Sequence, residues 1–362
     1  MAKEEFHFNR VSLYDQIAQR LLERIRNEHQ TGDRLPSEVA LSKELGVSAI
    51  TLREALSVLA YRGFIERRHG SGTYVADPTA NQWIAIVTNL DLSHPNLSYF
   101  HRRVAYHLRA LLADSGLKVR IYSGAAEGRP SSMTKKADLP AAISADLKLG
   151  LVRGIVYLPC SGWELFRDAG IPVVGTSPAL SYSVSLRRGD FLPSAMRSLA
   201  EQKCRKIGLL GWEHSFSSQA WEVELSRYSL SSQPEWFRND LDYVRSSGAG
   251  WHAFHSLWQS RKEKPDGVII DDDILFREVS LAILSERIHV PKDLKVFAHY
   301  NKGSRIILPF PCTIFEVDTD MHARELAELC KLAVGPKPPK SKHIRMPVQV
   351  IEHGSNDSPT LE

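Results

Sequence analysis

The stretch Gly46–Val75, "GVSAITLREALSVLAYRGFIERRHGSGTYV", decides the fold of the N-terminal part of the chain. Its first half has leucines at helical spacing, and Ser48 can cap a helix that runs from Ala49 to Tyr61. Its second half has two β-rich segments around "HGSG", whose glycines supply the positive φ of a hairpin turn. The stretch therefore predicts a helix that leads directly into a two-stranded hairpin.

The residues before this stretch predict two further helices. "LYDQIAQRLLERIRNEH" places an apolar stripe on one helix face, made of Leu13, Ile17, Leu21 or Leu22, and Ile25. Ser37 can cap a short second helix, "EVALSKEL", which Gly46 ends in a tight turn, and its apolar side is predicted to be Val39, Leu41 and Leu45. Two short helices joined by a glycine-containing turn form a helix-turn-helix, and the hairpin adds a wing.

This arrangement is typical of DNA-binding domains. The first residues of the second helix of a helix-turn-helix reach base edges in the major groove. Arg67, Arg68 and His69 at the wing are predicted to contact phosphates or a minor groove beside that helix. Acidic and basic residues nearly balance in this unit, so a small helical domain used for protein contacts stays open as an alternative on spacing alone.

The whole chain has 362 residues, 43% hydrophobic content and a net charge of +4. This length predicts two or three domains, and the small net charge does not by itself require a nucleic-acid partner. The scattered residues Cys160, Cys204, Cys312 and Cys330 are predicted to be reduced, buried thiols. The polar N-terminus and the absence of an apolar run of about 18 residues predict a cytoplasmic protein with no membrane partner.

From about Gln82 the pattern alternates between apolar strand segments such as "QWIAIVTNL" and helical segments. Such alternation predicts parallel sheets, and a segment of this length predicts two lobes. Ligands of open α/β sheets bind at the carboxyl ends of strands. The predicted effector-binding residues at these ends are Asp91, His94, Asn96, Trp212, Asp272 and Asn301.

Asp271, Asp272 and Asp273 could suggest a metal site. Three consecutive carboxylates at a strand end cannot all face one ion, and Asp273 is expected to cap the following helix. We therefore predict no metal. His94 and His299 lie near predicted strand ends without a Ser or Cys nucleophile motif, and we predict no cofactor, no catalytic residue and no enzymatic activity. "IRMPVQVI" is predicted as one last strand, and "GSNDSPTLE" as a disordered tail.

The N-terminal sequence resembles the GntR-type winged helix through its blocks "LPSE", "GVS…T-L-R-E-A-L", "GFI" and "GSGTYV". The resemblance implies that Ser48, Thr51, Arg53, His69 and Gly70 contact DNA. Val39 and Ala49 stand where that family usually has arginines that touch DNA. The resemblance therefore implies an operator that differs from the usual one of the family.

The rest of the chain resembles the LacI/GalR-type effector domain, through blocks such as "GIVYLP…LFRDAGIPVVGTS" and "PDGVIIDDDILFREVSLAILSERIHVPKDLKVFAHYN". The combination is similar to arabinose-repressor-like hybrids, which implies a homodimer whose DNA affinity responds to a small molecule, often a sugar. Arg187, Trp221 and Tyr300 stand at positions where that family has other residues, which include the Asp and Arg groups that bind sugars. A less polar effector, or a cleft without a ligand, therefore stays open.

The predicted fold class is α/β, with an N-terminal winged helix-turn-helix domain and a two-lobed periplasmic-binding-protein-like domain with parallel sheets. The predicted boundaries are 1–77 for the DNA-binding domain, 78–83 for a linker, 84–354 for the effector-binding and dimerisation domain, and 355–362 for the tail. The predicted function is a ligand-responsive regulator, in the form of a repressor, that binds double-stranded operator DNA. The alternative is a regulator whose C-terminal domain serves dimerisation or protein contacts. The predicted DNA contacts are Ser37, Ser48, Thr51, Arg53, Arg67, Arg68, His69 and Gly70.

Overall fold

The structure is a computed structural model, and it describes residues 12–77, 81–93, 97–123, 141–159, 162–213, 215–241, 248–259 and 263–354. These residues form two compact units. One contains the chain up to Ile84 together with Ala141–Arg153, and the other contains the remaining described residues. No helix within the described ranges is long and apolar enough to cross a membrane.

The first unit contains the predicted winged helix-turn-helix. Its elements are α1 (Leu13–Glu28), α2 (Glu38–Leu45), α3 (Ala49–Tyr61), β1 (Ile65–Arg68) and β2 (Gly72–Val75). The two strands pair antiparallel, from Ile65 opposite Val75 to Arg68 opposite Gly72. The helices enclose a core that includes Leu21, Leu52 and Leu56, so the predicted helices and hairpin are confirmed.

Serine caps start the short helices as predicted, but two apolar positions are exposed. Ser37 Oγ accepts from the Ala40 N–H of α2, and Ser48 Oγ accepts from the Thr51 N–H of α3. The prediction of a buried Val39 is wrong, since its exposed fraction is 80%. Residues two apart on a helix differ by about 200°, so Val39 faces away from the core that Leu41 enters. Leu13 is also exposed, because the buried stripe of α1 starts one turn later.

The second unit has two sheets with helices against them. The first sheet has the order β13-β7-β6-β5-β3-β4. Its strands are β3 (Trp83–Thr88), β4 (Val119–Ser123), β5 (Val152–Tyr157), β6 (Val173–Gly175), β7 (Tyr182–Ser185) and β13 (Lys342–Arg345). The helices α4 (Tyr99–Asp114) and α10 (Thr319–Ala333) pack against each other, whereas α5 (Ala141–Lys148) belongs to the first unit. We call this sheet with α4 and α10 the first lobe.

The second sheet has the order β14-β12-β11-β10-β8-β9. Its strands are β8 (Ile207–Trp212), β9 (Phe237–Leu241), β10 (Gly267–Ile270), β11 (Lys295–Asn301), β12 (Cys312–Val317) and β14 (Gln349–His353). Its helices are α6 (Phe191–Glu201), α7 (Ser218–Arg227), α8 (Ala249–Gln259) and α9 (Asp273–Ser285). We call this sheet and its helices the second lobe. The strands from β8 to β12 pair in parallel, which confirms the predicted fold class.

The end of the chain differs from its prediction. "IRMPVQVI" forms parts of two strands in different sheets, since β13 pairs parallel with β7 and β14 pairs antiparallel with β12. Pro347 lies between them, and proline has no N–H for a sheet ladder. The helix expected from about Phe276 starts three residues earlier, and Asp272 rather than Asp273 caps it.

The predicted domain boundaries remain predictions. Most of the linker, residues 78–80, and the tail from residue 355 lie outside the described residues. Cys160 also lies outside them, whereas Cys204, Cys312 and Cys330 are buried and form no disulfide. Burial raises the pKa of Cys204 to about 11 and that of Cys312 to about 12, so both thiols are protonated at neutral pH.

Candidate functional site

The first candidate site joins α3 to the wing through one carboxylate. Glu38, the first residue of α2, pairs with Arg53 Nε at 3.4 Å through one oxygen and with a terminal guanidinium nitrogen of Arg67 at 3.1 Å through the other. Arg67 also donates to the Ser57 hydroxyl at 3.4 Å. The side chains of helix and wing are therefore held together on one surface.

The exposure of this cluster lets it exchange partners. The Arg53 side chain is 62% exposed, and that of Glu38 is 35% exposed. Ion pairs in such positions contribute little free energy, because water already solvates both partners. A phosphate or a base edge can therefore replace Glu38 as the partner of either arginine.

The remaining predicted DNA-contact residues surround this cluster. Ser37 and Ser48 are the caps of α2 and α3, and the Ser48 hydroxyl lies 2.7 Å from the Thr51 hydroxyl. Ser48 is exposed and Thr51 is half-buried at the start of α3, the part of the helix that reaches base edges in this architecture.

The wing carries two further cation contacts. The Arg68 guanidinium lies 4.6 Å from the centre of the Tyr74 ring and pairs with Glu66 at 3.1 Å. His69 is exposed beside Gly70, whose φ of +71° turns the hairpin. Because L-residues disfavour positive φ, the turn between the strands depends on glycine.

The second candidate site lies where the two lobes meet. Arg188 follows β7, on the segment that passes from the first lobe to α6 of the second. Its guanidinium lies 3.7 Å from the Asp271 carboxylate at the end of β10, and its side chain is 60% exposed. Phe100 of α4 packs against the core of the second lobe, so both lobes contribute to this region.

Two histidines from opposite lobes lie close enough to Arg188 for its charge to lower their pKa values. Burial, followed by the charge of Arg188, lowers the pKa of His101 on α4 to about 4. Burial, followed by the charge of Arg188, lowers the pKa of His299 on β11 to about 3. Both imidazoles are therefore neutral at pH 7, so each offers one donor and one acceptor nitrogen. The cleft combines one cation with two neutral polar rings.

Trp212 ends β8, and Asp272 follows β10, the neighbouring strand of the sheet. The Asp272 carboxylate accepts from the Ile274 N–H at 2.8 Å, and the nearby Trp212 indole slightly lowers its pKa. Burial, with a smaller effect from the neighbouring Asp273, raises the pKa of Asp272 well above its usual value.

The other predicted effector residues have different surroundings. Asp91 accepts from the Ser93 N–H at 2.9 Å in the turn after β3. Asn301 is fully buried and donates to Asp273 at 2.9 Å, so it holds that carboxylate in place. His94 and Asn96 lie outside the described residues. Arg188, Ile274 and Asn301 are thus contacts of Asp271, Asp272 and Asp273 respectively, and contact with an effector stays a prediction for each predicted residue.

Sequence reasoning missed Arg188, His101 and the bridging role of Glu38. The family resemblance singled out Arg187 instead, whose guanidinium pairs with Asp190. The segment "VSLRR" has two consecutive arginines at the end of a strand. Which of the two side chains approaches Asp271 depends on the folded structure. His299 lies near a predicted strand end, where no catalytic motif accompanies it.

Comparison with known proteins gives two family matches. Residues 13–75 match "Bacterial regulatory proteins, gntR family", and residues 196–356 match "Periplasmic binding protein-like domain". The mannosyl-D-glycerate transport/metabolism system repressor MngR of Escherichia coli K12 is 46% identical over 22% of this chain and 33% of its own length. The HTH-type transcriptional repressor NagR of Bacillus subtilis 168 is 31% identical over 37% of this chain and 57% of its own length.

The chain thus spans about a third to somewhat more than half of these two relatives. Among solved structures, the complex of the transcriptional regulator CelR with cellobiose is similar with a TM-score of 0.59 and 14% identity. The match covers 88% of this chain and 98% of that chain. At this identity the likeness shows a shared fold.

Proposed function

Because residues 13–75 are a gntR-family domain and residues 196–356 a periplasmic-binding-protein-like domain, we propose that the protein is a ligand-responsive transcription regulator. The winged helix binds operator DNA, and a small molecule in the cleft between the lobes changes that affinity. MngR and NagR are named as repressors, and we extend repression to this chain. The observation that carries the proposal is the shared surface of Arg53 and Arg67, held together by Glu38.

The proposed DNA-bound state is a homodimer on a pseudo-palindrome. A two-fold dimer presents two recognition helices to two half-sites in the major groove. In each half-site, Ser37, Ser48, Thr51 and Arg53 contact bases or nearby phosphates, and the wing residues Arg67, Arg68, His69 and Gly70 lie along the backbone. The homodimer would be cytoplasmic, where its operator lies.

A selection from random duplexes tests DNA binding. The purified full chain is incubated with a random-sequence duplex pool at physiological salt, and bound DNA is amplified over several rounds. We expect enrichment of a sequence with two related half-sites, because base contacts discriminate by about 1–3 kcal/mol per base pair. A pool that stays random would contradict the proposal.

The proposed effector is a sugar or a related metabolite with a group that Arg188 can bind. The CelR complex contains cellobiose, and we extend a carbohydrate-like ligand to this cleft. A guanidinium with two neutral imidazoles suits hydroxyl groups and a carboxylate or phosphate. A ligand acts on DNA affinity only through its different affinities for the two states of the protein.

Thermal unfolding against a panel of sugars, sugar acids and sugar phosphates tests this part. A ligand at about 100 times its Kd stabilises the protein by about 2.7 kcal/mol. We expect Arg188→Ala to remove this stabilisation and Arg187→Ala to retain it, since Arg187 pairs with Asp190. Stabilisation of wild type by no compound would instead favour a C-terminal domain that serves dimerisation or protein contacts.

A further inference from the structure

The proposed DNA surface carries exposed apolar side chains where polar contacts would be expected. Val39 in the first turn of α2 is 80% exposed, and Ile50 in the first turn of α3 is 70% exposed. Neither side chain contributes to the core, which α2 enters with Leu41 and α3 with Leu52. Exposure of a large apolar side chain to water is unfavourable. Such a side chain at a contact surface therefore points to an apolar partner.

These side chains lie among the charged groups of the same surface. An open groove of about 540 Å³ between α2 and α3 has Val39, Val47 and Ala49 among its lining residues. Lys43 and Arg53 line it as well. Ile50 follows Ala49 directly at the start of α3, which is the part of the helix that meets base edges. The groove therefore has the apolar residues Val39 and Ala49 beside cations, and exposed Ile50 is the next residue of α3. We call these three residues the apolar patch.

Duplex DNA offers one apolar group in the major groove, the C5 methyl of thymine. The other groups that the base edges present there are hydrogen-bond donors and acceptors, which a valine or isoleucine side chain cannot satisfy. A guanine edge against this patch would leave two acceptors without donors. The cations beside the patch match the phosphates that flank any base.

We infer that Val39, Ala49 and Ile50 determine operator specificity by contacting thymine methyl groups in each half-site. This inference rests on the proposed DNA-binding function. Arg53 and the wing then position the protein, and the apolar patch selects thymine over the other bases at the positions it faces.

Replacement of thymine by uracil tests the inference without altering the protein. In the enriched duplex, each thymine is replaced in turn by deoxyuridine, which removes the methyl and retains the base pair. Burial of one methyl group increases affinity about fourfold. We therefore expect the replacement of at least one thymine per half-site to lower the affinity by about that factor. Affinities are measured by fluorescence anisotropy with the full chain.

Variants then assign the methyl contacts. Each of Val39→Ala and Ile50→Ala should remove the loss of affinity that uracil causes at the thymine which that side chain contacts. The reason is that the side chain that packed against the thymine methyl is then absent. Ile307→Ala is the matched control, because Ile307 is 75% exposed and lies in the second lobe, outside the proposed DNA surface. It should retain the wild-type sensitivity.

The outcomes separate the inference from the proposed function. An enriched operator that tolerates uracil at every thymine, or a sensitivity that both alanine variants retain, would overturn the inference and leave DNA binding intact. A pool without enrichment would overturn both. If an alanine variant unfolds, the wild-type uracil series still decides, because it needs no substitution.

Discussion

At the scale of single residues, Arg53 should account for one phosphate or base contact in the operator complex. We expect Arg53→Ala to weaken operator binding and to lower the slope of log affinity against log salt by about 1, since each neutralised phosphate contributes about 0.9. Arg227→Ala is the control, because Arg227 is exposed on α7 and pairs with Glu224. Operator affinity unchanged in Arg53→Ala would rule out this role.

Glu38 should contribute to specificity because it holds two arginines at once. Glu38→Gln removes a negative charge that faces DNA, so binding to random duplex should become tighter. It also releases Arg53 and Arg67 from their shared position, so the ratio of operator to random-duplex affinity should fall.

The matched control for Glu38 is Glu66→Gln. Glu66 lies on the wing and pairs with Arg68 at 3.1 Å, so its removal also raises general affinity. It holds one arginine rather than two, and the affinity ratio should fall less than in Glu38→Gln. Equal ratios in both variants would show that Glu38 acts through its charge alone.

At the scale of elements, the wing depends on two glycines with different environments. Gly72 has a φ of +125°, and a Cβ built there would lie 2.8 Å from Arg34 Nε. Gly70 has a φ of +71°, and a Cβ there would meet no atom within 4 Å. A left-handed conformation costs an L-residue about 1–2 kcal/mol.

We therefore expect Gly70→Ala to weaken the wing by about 1 kcal/mol. Gly72→Ala should weaken it more, because Arg34 must also move and φ lies further from any favourable region. Urea unfolding and operator affinity measure both changes. A larger loss in Gly70→Ala than in Gly72→Ala would contradict this account of the hairpin.

At the scale of the whole molecule, buried histidines should make stability depend on pH. His322 at the start of α10 is fully buried, and neither ring nitrogen has a hydrogen-bond partner among the described residues. Burial lowers its pKa to about 3. The unfolded chain binds a proton at His322 below about pH 6.5, which the folded protein does not do until about pH 3.

The free energy of unfolding should therefore fall as the pH decreases from about 6.5, by at most about 1.4 kcal/mol per pH unit for one such group. His322→Phe should reduce this slope in urea unfolding between pH 7 and pH 5. The buried aspartates act in the opposite sense but are present in both proteins, so the difference between the slopes isolates His322. Identical slopes would show that His322 does not titrate in this way.

Short-range sequence patterns determined the helices and strands of this protein. Leucines at helical spacing, serine caps before two helices and glycines in the hairpin turn dictate the winged helix, because these preferences act within a few residues. Continuous apolar runs likewise determined most strands of the two sheets. The sequence did not predict that "IRMPVQVI" divides at Pro347 into parts of two strands. The two strands join different sheets because β13 pairs with β7 and β14 pairs with β12, which are distant in sequence.

The sites were decided by the tertiary structure. Arg53 and Arg67 could be selected from the sequence, but their common partner Glu38 is 15 residues from one and 29 from the other. His101, Arg188 and His299 are far apart in sequence, and the lobes bring them together only when folded. A periodic pattern shows which side of an element is buried. It does not show which charge from another element will face that side, because this depends on how the sheets pack.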